Sequence, residues 1–170
     1  AAAVGHRDGD RVIVDACRRW PAPHDPKVVA GQVAEFLKGY GLSHARADQY
    51  GAELSRAIYA EAGVTLNAAP DSRSDSYLRL LPLLTTGRCE LPPEPHLRAE
   101  LLGLERRTRS GGRDIVDHRP GAHDDVANAV ALAAVAAAKV SAEGLLSVIY
   151  SEQAIETQVE LGWYRREPFF

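Results

Sequence analysis

The chain has 170 residues, 45% of them hydrophobic and 25% charged, with a formal net charge of −3. That is one domain's length, enough to bury roughly 70% of the surface its unfolded chain would expose, and the composition excludes disordered and fibrous classes. Two distant cysteines, Cys17 and Cys89, in no CxxC spacing, exclude a disulfide framework or a zinc site, and the small negative charge speaks against nucleic-acid binding by bulk charge alone.

The most apolar stretch, Val126 to Val140, is alanine-rich and too short to span a bilayer, so no membrane partner is expected. No signal-peptide pattern precedes the first strand, which fits a cytoplasmic location. The chain has no methionine, even at position 1, so a processed chain or an excised piece of a longer one is expected.

In chain order, Ala1 to His6 and Arg11 to Arg19 read as a hairpin, turned at Arg7-Asp8-Gly9-Asp10, where Asp-Gly supplies positive φ. Asp25 caps a helix whose first residue is Pro26, with Val29, Val33, Phe36, Leu37 and Tyr40 on one stripe. A short strand near His44 to Asp48, a helix near Ala52 to Ala62 and a strand from Val64 to Ala68 follow. Asp71 to Asp75 opens a helix that Gly87 stops, and Arg88 to Leu91 is a brief edge strand. Leu97, Leu101 and Leu104 predict a helix from about Pro95 to Thr108, Arg113 to His118 a last strand or extended loop, and His123 or Asp124 the start of a long alanine-rich helix. Helices alternating with strands predict an α/β fold, a mixed sheet with an N-terminal antiparallel hairpin and helices on both faces.

Three groups of residues could carry chemistry. Asp124 and Asp125 lie side by side at a helix start, where a carboxylate is favoured by free N–H groups and the helix dipole. One aspartate is explained as a cap; the pair equally suits a hard divalent ion, which takes oxygen ligands. Asp48 ends a short strand among small residues, either an ordinary turn aspartate or a residue at the sheet edge where sites collect. Arg106, Arg107, Arg109 and Arg113 surround a Ser-Gly-Gly link, either a solvated basic tip or contacts to DNA phosphates. His123 is a polar helix-start residue or a phosphate contact, and Glu53 a helix-start carboxylate within possible reach of the same site.

Taken together, an ordered set of segments resembles the nuclease domain of phage terminase large subunits. The set comprises Gly5 to Ala16, Asp48 to Glu53, Ser74 to Tyr77, Leu80 to Leu84, Gly87 to Leu91, Leu101 to Thr108, Gly111 to Asp114 and Asp117 to Ala129. The resemblance spans about Val4 to Ala138. It implies a ribonuclease H-like fold for residues 1–140 and metal-dependent endonuclease cleavage of double-stranded DNA concatemers during DNA packaging. Two Mg²⁺ or Mn²⁺ ions would be the cofactors, with Asp48, Asp124 and Asp125 as catalytic metal ligands: Asp125 the main ligand from the last helix, and Asp124 beside it assisting or holding the second ion. It also implies partnership with a terminase ATPase domain, a small terminase subunit and a portal protein, in the cytoplasm of a bacterial host.

The sequence departs from that family at one point. The Asp-Pro-Ser-Gly-Gly-like strand that carries the family's first catalytic aspartate has no counterpart before Ala1, and Asp8, Asp10 and Asp15 lie too far along to replace it. Weak or absent cleavage by this chain alone is therefore expected. No GxxxxGK[ST] loop is present, so ATP hydrolysis is not expected. Residues 141–170 lie beyond the resemblance and read as an extension, helical through Leu145 to Leu161 and aromatic at its end. Competing readings are another ribonuclease H-like nuclease, related to resolvases or integrases, and an inactive module that docks on DNA or a portal.

Overall fold

A computed structural model describes residues 1–108, 112, 114–140 and 147–150; for residues 49–51, 53, 54 and 147–150 it describes the backbone alone. The hairpin forms, with its turn one residue later than Asp-Gly alone would place it. Strand β1 (Ala2–Asp8) pairs antiparallel with β2 (Arg11–Arg18), Asp8 opposite Arg11. The two-residue turn is Gly9-Asp10, and only Gly9 takes positive φ, at 60°. This is the first central position, where such turns use glycine.

One alternation within β1 separates two cores. Ala1 and Ala3 belong with Val12 and Val14 to a cluster under the alanine-rich helix, whereas Ala2 and Val4 belong to a cluster on the other face. That second face is covered by α1 (Pro26–Lys38) and α2 (Gln49–Glu61). The Asp25 side chain accepts the Lys27 N–H at 2.8 Å, and Val29, Ala30, Val33 and Leu37 turn inward. On the first face lie α3 (Arg73–Thr85), α4 (Pro95–Leu102) and α5 (Asp125–Lys139). Every residue of α5 from Val126 to Ala137 is buried.

Six strands make one mixed sheet, in the order β4 (Thr65–Ala68), β3 (His44–Ala47), β8 (Ser147–Tyr150), β1, β2, β5 (Cys89–Glu90). β8 runs parallel to β3 and antiparallel to β1. A helical continuation through residues 145–161 is therefore incorrect for residues 147–150, which pair on both sides as a strand; the rest of that segment lies outside the described residues.

A second correction concerns Leu104 to Thr108. The helix expected to reach Thr108 stops at Leu102, with Gly103 as its cap, and Leu104–Thr108 is β6, antiparallel to β7 (Asp114–His118) in a separate two-stranded ribbon. Leu97, Leu101 and Leu104 keep helical spacing across the break because Leu104 packs into the same core as the first residue of a strand. Cross-strand partners favour the ladder: Thr108 Oγ1 donates to Asp114 at 2.7 Å, and Arg119 Nε to Glu105 at 2.8 Å.

Candidate functional site

Two acidic positions from distant parts of the sequence arrive at one edge of the sheet. Ala47 pairs with Tyr150, Tyr150 with Ala2, and Ala2 with Arg18. One residue further along, Asp48, Ala1 and Arg19 stand level across strands spaced about 4.8 Å apart. Ala45 and Ala47 face α1 and α2, while Arg46 faces Leu132 and Ala136 of α5. Asp48 lies one residue past the end of β3. Its carbonyl also accepts the Ala52 N–H at 3.1 Å, at the start of α2.

The N-terminus of α5 lies over this edge. Asp125 is close enough to Ala1 for its charge to be felt there. Of the two adjacent aspartates, neither caps the helix through its side chain by a bond among those described. Glu100, from α4, does this instead, accepting the Ala127 N–H at 2.8 Å. Burial raises the Glu100 carboxyl pKa and the neighbouring charge of Asp125 raises it further, while the helix N–H groups oppose both.

The pair divides. Asp124 is 1% exposed and turned toward α3 and β7. It accepts the Tyr77 hydroxyl at 2.8 Å and the Arg73 guanidinium at 3.4 Å, and His118 Nε2 stands 3.9 Å away. Arg73 also bonds Asp117 at 2.9 Å, and Ser74 Oγ ties α3 to the Val116 carbonyl of β7 at 3.1 Å. Asp125, by contrast, keeps a buried Oδ1 with no hydrogen-bond partner among the described residues, and so does Asn128 one turn later. Leaving such an oxygen buried and unsatisfied costs roughly 1–3 kcal/mol, more when charged.

An orphaned carboxylate oxygen has the donor chemistry a Mg²⁺ or Mn²⁺ ion seeks. Among the described residues, however, no group of three or more His, Cys, Asp or Glu side chains converges as a metal site. They supply part of a donor set.

The arginines expected to contact DNA have a different setting. Arg106 and Arg107 are exposed on β6, yet Arg106 pairs with Asp114, and Arg107 with Glu105 at 2.6 Å. Arg109 and Arg113 lie outside the described residues, as does the side chain of Glu53; His123 is exposed. Cations that sequence reasoning passed over stand nearer the acidic edge. Arg18, Arg19 and His96 line a cleft of about 340 Å³ with Cys17, Glu94 and Val126, and Arg18 stacks over Trp20 at 5.2 Å. Tyr77, Arg73, Glu100 and Asn128 were also passed over as site neighbours. No spacing rule joins Glu100 to Asp125; only the packing of α4 on α5 does.

No family model matches the sequence, and no curated protein does. Among solved structures, the chain is similar to the large terminase nuclease of thermophilic phage G20c, with a TM-score of 0.61 and 18% identity over 73% of this chain and 68% of that one. At that identity the likeness speaks for architecture: the chain has a mixed α/β, ribonuclease H-like fold, shared with a phage terminase nuclease.

Proposed function

We propose that this chain is a terminase-type nuclease domain that hydrolyses phosphodiesters of double-stranded DNA during viral genome packaging. The observation that carries the reading is the buried oxygen of Asp125, unpartnered among the described residues, at the sheet edge that Asp48 shares, on a fold held in common with a phage terminase nuclease. Asp125 and Asp48 would hold Mg²⁺ or Mn²⁺, two ions in the fullest form, which would supply Lewis-acid stabilisation of charge on the scissile phosphate. Asp124 takes a supporting part, fixing the start of α5 through Tyr77 and Arg73. Arg18, Arg19 and His96 can neutralise phosphates beside the acids, and Arg106, Arg107, Arg109, Arg113 and His123 are further candidates for phosphate contacts. The natural setting of such a domain is a packaging assembly with an ATPase domain, a small subunit and a portal, in a bacterial host cell.

Conversion of supercoiled plasmid to nicked and linear forms in Mn²⁺ tests this. Asp125→Asn and Asp48→Asn are each expected to lower the rate by at least about 100-fold, the scale on which essential charge-stabilising groups act. Cleavage by both variants at the parent rate would exclude the reading. A second reading, a DNA- or portal-docking module on the same fold, is favoured by the lack of a third convergent acid among the described residues. DNA retention without any cleavage would select it.

A further inference from the structure

Asn128 is the one polar residue between Val126 and Ala137, and it is 2% exposed. A polar group kept in the middle of an aliphatic helix needs a partner, and its Oδ1 has none among the described residues. Residues three apart share a helix face, and helical side chains lean toward the N-terminus, so Asn128 leans back over the turn that carries Asp125. Asp125, three residues back on that face, has a buried Oδ1 that is likewise without a hydrogen-bond partner among the described residues. Two acceptors cannot satisfy one another. What satisfies both is a shared donor or a cation between them. The nearby Glu100 carboxylate brings more negative charge and is itself engaged with the α5 N–H groups. A carboxylate and an amide carbonyl, one charged and one neutral, are ordinary ligands of a hard divalent ion.

We propose that Asn128, through its side-chain oxygen, joins Asp125 in binding a divalent cation. The proposal deepens the nuclease reading and rests on it for the identity of the site. Were the amide turned the other way, with its NH₂ on Asp125, Asn128 would be a structural hydrogen-bond donor only. The two arrangements predict opposite behaviour.

The test is Mn²⁺ binding to the full chain, measured by the loss of free-ion electron paramagnetic resonance signal, with melting temperatures taken in EDTA. For a cation ligand, Asn128→Leu, apolar and of similar volume, should weaken Mn²⁺ at least about tenfold while melting in EDTA no lower than the parent. Asn128→Asp, which adds a charged oxygen, should tighten it by a similar factor. For a structural donor, both variants melt lower in EDTA and bind Mn²⁺ as the parent does, which would overturn the proposal. A parent chain that binds no Mn²⁺ at millimolar concentration would overturn it too. Should Asn128→Leu fail to fold, Asn128→Asp decides alone: unchanged affinity is refutation. Parallel plasmid assays keep this result apart from the nuclease reading. Mn²⁺ bound through Asn128 without cleavage removes the nuclease and leaves the site, while cleavage with Mn²⁺ affinity indifferent to residue 128 removes this proposal alone.

Discussion

Replacing Tyr77 by Phe isolates the polar contact that holds the start of α5. The ring stays, so its packing among Leu78, Leu80 and Leu101 is retained; the lost atom is the hydroxyl that donates to Asp124 at 2.8 Å. Asp124 is 1% exposed, so water cannot replace the donor without opening the core. A hydrogen bond to a charged group contributes about 1.5–3 kcal/mol, and Arg73, at 3.4 Å, compensates only in part. The expected loss is therefore about 2 kcal/mol, or about 4–8 °C in melting temperature for a domain of this size. Burial and the Asp124 carboxylate hold the Tyr77 phenol well above its usual pKa, so it remains a donor and the loss should be flat between pH 5 and 9. Urea titrations of the parent, Tyr77→Phe, Asp124→Asn and the double variant provide the assay. The two changes should couple by at least about 1 kcal/mol. A Tyr77→Phe loss below about 0.5 kcal/mol, or strict additivity, would refute the idea that this bond anchors the helix.

Gly5 gives a backbone prediction: an added Cβ would stand 2.9 Å from the Ile13 carbonyl oxygen, at the register shift between Val4 and Gly5. Gly5→Ala should cost about 1–3 kcal/mol, seen as a lower urea midpoint, and an unchanged midpoint would count against the contact. The thiols give a chemical one. Burial raises Cys17 and Cys89 from 9 to about 11, with Glu94 adding to the effect at Cys17. Iodoacetamide at pH 8 should therefore label the folded chain about 100-fold more slowly than the urea-unfolded chain. Because these folded-state values are raised, the stability linked to the neutral thiols is complete below pH 9 and lost as pH climbs toward 11. A Cys17→Ala, Cys89→Ala double variant should lose less stability across that window, and equal slopes would contradict the assignment.

Elements whose signals are local were legible in the sequence. Asp-Gly marked the hairpin, Asp25-Pro26 the start of α1, and the alanine run α5, because turn and cap chemistry acts within four residues. The break at Gly103 was not, since Leu101 and Leu104 sit three apart whether the chain continues as a helix or turns into β6. β8 was hidden for a related reason: Ser147 to Tyr150 is too short to show a period, and its place is decided by β1 and β3. The acids were visible as residue types, but the division of labour between them was not. Asp124 and Asp125 are neighbours in the chain, and what sends one to Tyr77 and Arg73 while the other keeps a buried oxygen without a hydrogen bond among the described residues is the packing of α3 and α4, some 25 to 50 residues upstream.

The alternation along β1 bears on how the molecule finds its correct pairing. Ala1, Ala2 and Ala3 present the same small methyl to either side, so a slip of one position there would scarcely alter what each core contains. Discrimination falls to Val4, whose bulk fits one core, to Gly5, the residue that passes beneath the Ile13 carbonyl, and to the reversal at Gly9. Those three positions serve as an alignment key for the sheet, and through the placement of Ala1 beside Asp125 they also set where the acidic edge comes to rest.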